Sequence, residues 1–134
     1  MSLIGKSIYT LLSAESDITD LVSTRIYPVR VAQNGSYPAI VYSILGAVPT
    51  NDKTGTTNRR SQIDDFEVQI SVHAKDYATT QDVCKAVRDT IDKYSGTSAG
   101  VSINSIYWDE QSDRYDDDIK LHNSFQRYYF RINN

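Results

Sequence analysis

Residues 66–73 alternate without a break. Phe66, Val68, Ile70 and Val72 fall on one side of an extended chain, and Glu67, Gln69, Ser71 and His73 on the other. Strand side chains repeat every two residues, so the run predicts a strand with one packed face and one wet face. Such a strand needs a cover for its apolar side. The next segment supplies it: Val83, Cys84, Val87, Ile91 and Tyr94 recur at helical spacing, with Lys85, Arg88, Asp89, Asp92 and Lys93 on the solvent side. Asp76 or Thr79 is placed to cap this helix over 77–94, and Thr79-x-x-Asp82 has capping-box spacing with a shorter acid. Ser95-Gly96 reads as its end, with glycine in the left-handed conformation.

The remaining elements arrange themselves around this pair. Ser2 is placed to cap a first helix whose apolar positions are Leu3, Ile4, Ile8, Leu11 and Leu12. Asp17 starts a second short turn carrying Ile18, Leu21 and Val22. Arg25 to Pro28 reads as a short strand, followed by a connection with an Asn34-Gly35 turn signal. Pro38 to Val48 reads as a long strand entered through a proline, where the missing N–H is tolerated. Pro49 and the polar tract 50–58 interrupt it, and a third strand runs from Ser61 to Ala74. After the helix, Val101 to Glu110 reads as a strand whose apolar set shifts near Asn104-Ser105, which predicts a bulge. An acidic turn with Asp113, Asp116, Asp117 and Asp118 precedes a last strand over 119–132. There Gln126, Tyr128, Phe130 and Ile132 alternate with Phe125, Arg127, Tyr129 and Arg131. The order α-β-β-β-α-β-β predicts one α+β domain over 1–134. Its sheet is mixed but mainly antiparallel, with about five strands and two helices on one face.

Little in the chain points to chemistry. Fourteen basic residues stand against 17 acidic ones, which argues against a dedicated nucleic-acid binder. The single cysteine, Cys84, excludes an intrachain disulfide and fits a reducing cytosol. No apolar run reaches the roughly 18 residues of a membrane span, and the first residues lack the basic-then-apolar order of a signal peptide. His73, His122, Asp76 and Cys84 do not have structural-zinc spacing, and Cys84 lies on an apolar stripe where packing explains it. No nucleophile elbow or phosphate-binding glycine loop occurs. The aspartates of 113–118 lack the glycine and terminal glutamate of a calcium loop, so they read as a solvated turn. No catalytic residue, cofactor or metal site is therefore expected.

The surfaces are more suggestive. Ten tyrosines against three phenylalanines suit half-buried strand positions and protein interfaces. On the final strand, Arg127, Tyr128, Tyr129 and Arg131 form an aromatic and arginine-rich set suited to contact with another copy. The 50–60 tract has no apolar anchor, so it is expected to order only against a neighbour, with Lys53, Arg59 and Arg60 flanking it as a docking arm.

Arg25-Ile26-Tyr27-Pro28, then Tyr37-Pro38-Ala39-Ile40-Val41-Tyr42-Ser43, the 45–65 hairpin, the 77–94 helix and Gln126-Arg127-Tyr128-Tyr129-Phe130-Arg131-Ile132 occur in a distinctive order. Over nearly the whole chain this order resembles the tail completion (tail terminator) proteins of long-tailed bacteriophages. The resemblance implies a mixed sheet backed by helices and no catalytic residues. It implies a ring of identical subunits, usually six, that caps the tail tube, ends its growth and joins tail to head. The implied partners are copies of the chain, the tail tube protein and a head-completion or connector protein. DNA would pass through the lumen without specific binding, past an acidic rim of Asp113, Asp116, Asp117 and Asp118, and no membrane is involved. The implied location is the head–tail interface of the virion, after synthesis in the host cytoplasm. Two rival readings are another neck or tail subunit, such as a head-completion or tube protein, and a monomeric binding module. Oligomeric state separates them.

Overall fold

The strand that the 66–73 alternation predicts is β3, Ile63–Ala74, and it lies inside a six-stranded sheet. The computed structural model describes residues 4–31, 36–49 and 63–133. In chain order the elements are α1 (Ile4–Ser13), α2 (Ser16–Val22), β1 (Ile26–Pro28), β2 (Ala39–Pro49), β3, α3 (Tyr77–Ile91), β4 (Gly96–Ser98), β5 (Val101–Asp116) and β6 (Leu121–Asn133). The strands lie in the order β1-β2-β3-β6-β5-β4. β1 runs parallel to β2, and every other neighbouring pair is antiparallel. The sequence order therefore holds with two additions: the short turn near Asp17 is a helix, and a three-residue edge strand, β4, follows α3.

All three helices cover one face. Ile4, Ile8 and Leu12 of α1, Ile18 and Val22 of α2, and Val83, Cys84, Val87 and Ile91 of α3 share one buried cluster. They meet Ile40 and Tyr42 of β2, Val68, Ile70 and Val72 of β3, Ile103 and Ile106 of β5, and Tyr128, Phe130 and Ile132 of β6. Burial of each such side chain contributes about 1.5–3 kcal/mol. Across this packing, Arg88 of α3 stands 3.8 Å over the Trp108 ring, a cation–π contact that shields the indole from water. Ser7 of α1 donates its hydroxyl to the Ser98 carbonyl at 2.8 Å, fastening α1 to the edge strand β4.

Several boundaries differ from the sequence reading. α3 ends at Ile91 rather than Tyr94, and Lys93, not Gly96, takes the left-handed conformation, at φ 64°. The turn is fixed by backbone bonds from Lys93 N–H to Ile106 O and from Tyr94 N–H to Ile91 O. Gly96 opens β4 at φ 150°, where a Cβ would lie 3.1 Å from the Tyr94 hydroxyl oxygen. Asp76 is the N-cap residue, but its carboxylate bonds the Thr79 hydroxyl rather than a backbone N–H. The bulge near Asn104-Ser105 is present as a register shift between Ile103 and Ser105. A second shift, between Trp108 and Glu110, lets β5 continue to Asp116 instead of stopping at Glu110. The Ser2 cap, Leu3, the Asn34-Gly35 turn, the 50–60 tract and Lys53, Arg59 and Arg60 lie outside the described residues.

Two acidic groups within the core respond to burial. The Cys84 thiol is pushed from its ordinary 9.0 to about 11 by desolvation; Ser124 opposes the rise and the Asp113 charge adds to it. Desolvation also raises the Tyr128 hydroxyl strongly above 10.0, helped by the Asp92 charge. Above pH 9 the unfolded chain releases these protons while the folded chain keeps them. The unfolded state then binds fewer protons, so stability falls as pH rises, by up to about 1.4 kcal/mol per pH unit for each group. For Cys84 the loss spans pH 9 to about 11, and for Tyr128 it continues upward from 10. Urea unfolding at pH 8 and pH 10.5 measures this. A lower midpoint at pH 10.5 is expected, and an unchanged one would show that neither group is protected.

Candidate assembly surface

The face of the sheet opposite the helices is built in rows across the strands. One row runs Ser43, Gln69, Arg127, Glu110 through β2, β3, β6 and β5. A second runs Gly46, Glu67, Tyr129, Tyr107, and a third Val48, Asp65, Arg131, Ser105. Arg127 Nε lies 3.1 Å from Glu67 Oε1, within ion-pair range but not aligned as a hydrogen bond, and its Nη1 lies 3.3 Å from Glu110 Oε1. Arg131 donates Nε to Asp65 Oδ1 at 3.0 Å. Such half-exposed pairs contribute at most about 1 kcal/mol each. They order the face more than they hold the fold together. Tyr129 and Tyr107 lie side by side, 37% and 51% exposed. The Glu67 charge beside Tyr129 raises the pKa of its hydroxyl.

The surface set expected on the final strand is therefore divided. Arg127, Tyr129 and Arg131 share the outer face. Tyr128 does not: it has no exposed surface and packs under the helices. The cause is strand parity, because Tyr128 shares the inner face with Gln126 and Phe130, both buried. The outer face also holds Asp65, Glu67, Glu110 and Tyr107. Their place opposite Arg131, Arg127 and Tyr129 is visible only once strand register is fixed.

The acidic turn is likewise redrawn. Asp113 belongs to β5 and faces α3; it accepts from Ser124 Oγ at 2.7 Å, Gln81 Nε2 at 3.3 Å and Tyr77 Oη at 3.4 Å. Asp116 ends β5 and accepts the Asp118 N–H at 3.0 Å. Only Asp116, Asp117 and Asp118 cluster at the tip.

The expected histidine positions have local partners. His73 Nδ1 lies 2.6 Å from Asn123 Oδ1, and His122 packs against the Tyr77 and Tyr115 rings. No group of three or more metal-ligating side chains occurs among the described residues. A concavity of about 260 Å³ on the outer face is lined by Gln69, Glu110, Ser112, Arg114, Phe125 and Arg127, among others. Its arginine at position 127 is already committed to two carboxylates. No helix among the described residues is long and apolar enough to cross a membrane.

The two sides of the sheet differ in charge. Between Asp20 and Asp52 the chain carries Arg25 and Arg30 and no carboxylate side chain, and this stretch builds the β1–β2 side. At the opposite side, the second half of β5 and its turn carry Asp109, Glu110, Asp113, Asp116, Asp117 and Asp118 against Arg114 and Lys120. Among the described residues, both sides also have open backbone. β1 pairs only with Ile40, Val41 and Tyr42, so residues 43–49 of β2 have no outer strand among the described residues. Ile44, Leu45 and Val48 are 44%, 48% and 66% exposed there. β4 pairs only with residues 101–103 of β5. The α3–β4 connection meets β5 at Ile106 and Trp108, and residues 109–116 have no outer strand among the described residues.

The fold matches a solved chain from "Virion of native gene transfer agent (GTA) particle", with a TM-score of 0.75 and 18% identity, covering 96% of this chain and 92% of that one. The family described as Tail completion protein gp17 matches residues 6–133, and the chain belongs to that family. It is a structural protein of the phage tail and resides in the virion. No curated protein matches it.

Proposed function

We propose that the chain forms a closed ring that caps the end of the tail tube, stops its growth and joins the tail to the head. The observation that carries this reading is the pair of strand edges, on opposite sides of one sheet, that no strand covers among the described residues. Long open edges invite pairing with another chain and are covered in stable assemblies. Contacts between different sides of identical copies run head to tail, and they close into a ring when the rotation per copy divides a full turn. Six copies fit the family. The outer face with Arg127, Tyr129, Tyr107 and Arg131 offers a second contact surface, to the tube protein or a head-completion protein. Lys53, Arg59 and Arg60 contribute a docking arm toward a neighbour. Asp116, Asp117 and Asp118 would set an acidic rim that repels passing DNA and binds none of it. The role is structural and involves no catalytic step. Particles assembled without this chain test it. Tails that are overlong or fail to join heads are expected; normal tail length and joining would reject the reading.

A further inference from the structure

We infer that neighbouring copies in the ring join by strand pairing, residues 43–49 of β2 in one copy lying against residues 109–114 of β5 in the next. This deepens the ring reading above and rests on it. The occupant of each open edge is thus the opposite edge of a second copy.

Charge selects this partner. The stretch that holds β1 and β2 carries Arg25 and Arg30 without a carboxylate, and the second half of β5 with its turn carries six carboxylates against Arg114 and Lys120. Two like sides placed together would repel, whereas opposite sides attract, so head-to-tail contact is favoured over a two-fold one. Polarity agrees. From β2 through β3 and β6 to β5 the direction reverses at each step, so β5 runs antiparallel to β2. Rotation about a ring axis preserves strand direction, so the next copy's β2 meets β5 antiparallel, as most strands in this sheet already do.

The open segments are offset, and the offset has a geometric use. Ser112, near the middle of the open part of β5, is level with Phe125, Ser71 and Val41, whereas the open part of β2 is centred on Gly46. Gly46 is level with Glu67 and Tyr129, four residues from Ser71 and Phe125, so pairing them shifts each copy along the strand by roughly 14 Å at about 3.4 Å per residue. Four strands at about 4.8 Å give a spacing of roughly 19 Å per copy, so the strands would tilt by roughly 35°, within the range of closed barrels. In this register Gly46 faces Ser112 and, across the β2 bulge at Leu45, Ser43 faces Arg114. Arg30, two residues beyond β1, then lies beside Asp116 and Asp117 of the neighbour. Ile44, Leu45 and Val48, exposed in the single copy, become covered.

A charge swap tests the pairing. One variant is Arg30→Glu; the other combines Asp116→Lys, Asp117→Lys and Asp118→Lys. Each is added to tails made without the chain, alone and as an equal mixture, and joined particles are counted. Each variant alone is expected to lose about tenfold or more in joining, because its two sides now repel. The mixture is expected to recover joining, since alternating copies restore both contacts. Wild-type joining by either single variant, or no recovery in the mixture, would overturn the edge pairing. A disulfide between copies carrying Ser43→Cys and Arg114→Cys, in a Cys84→Ser background, gives an independent measurement. Cross-linked species on tails are expected, and only monomers would overturn the register. The ring reading fails separately, when wild-type protein neither limits tail length nor joins heads.

Discussion

Val87→Asp is expected to abolish cooperative folding. Val87 has no exposed surface and sits on the inner stripe of α3 between Val83 and Ile91, against the sheet. Removing the valine forfeits about 1.5–3 kcal/mol of burial. The aspartate adds a buried carboxylate with no cation to meet it, which costs several kcal/mol more even after relaxation. A domain of this size has a net stability of about 5–15 kcal/mol, so the combined loss takes most or all of it. Lys85→Ala on the same helix is the control. Lys85 pairs with Asp89 at 2.7 Å, but both side chains are well exposed, and a midpoint close to the wild-type one is expected. Urea titration followed by far-ultraviolet circular dichroism separates the two. A Val87→Asp protein with the wild-type midpoint would mean that another face of α3 is inside.

The elements legible in the sequence are those with long, unbroken periodicity. β3 and α3 each show one period over many residues, so their inner faces follow without knowledge of their neighbours. β4 has three residues and no period of its own; it exists because β5 pairs with it. The second bulge in β5 hides the rest of that strand, because Asp109 shifts the phase and places Gln111 and Asp113 on the inner side. Tyr128 and Tyr129 show a different limit. Both sides of β6 carry large residues, and the polar Gln126 on the inner stripe obscures which side is packed. The composition of the assembly surface was partly legible in Arg127, Tyr129 and Arg131. The charge contrast is written in the sequence too, but it becomes a contrast between opposite edges only through the strand order β1-β2-β3-β6-β5-β4.

Gln126→Leu is expected to destabilise the domain by about 2–3 kcal/mol, because it strands the polar groups that this side chain satisfies. Gln126 is 1% exposed. Its amide donates to the Cys84 carbonyl and to Gln111 Oε1, both at 3.1 Å, and its Oε1 accepts the Tyr128 hydroxyl at 3.1 Å. Leucine fills much of the space but accepts nothing, so the Tyr128 hydroxyl stays buried without its acceptor. At this chain length the loss corresponds to a thermal midpoint lower by roughly 10 °C. Tyr128→Phe removes the donor instead and leaves Gln126 Oε1 unmet, a smaller expected loss of about 1 kcal/mol. The double variant decides the matter. With both partners apolar, no hydroxyl is stranded, so Gln126→Leu with Tyr128→Phe should be more stable than Gln126→Leu alone. Thermal unfolding of the three variants gives the coupling directly. Losses that simply add would show that the Tyr128–Gln126 bond contributes nothing, and that β6 is held inside by its apolar residues alone.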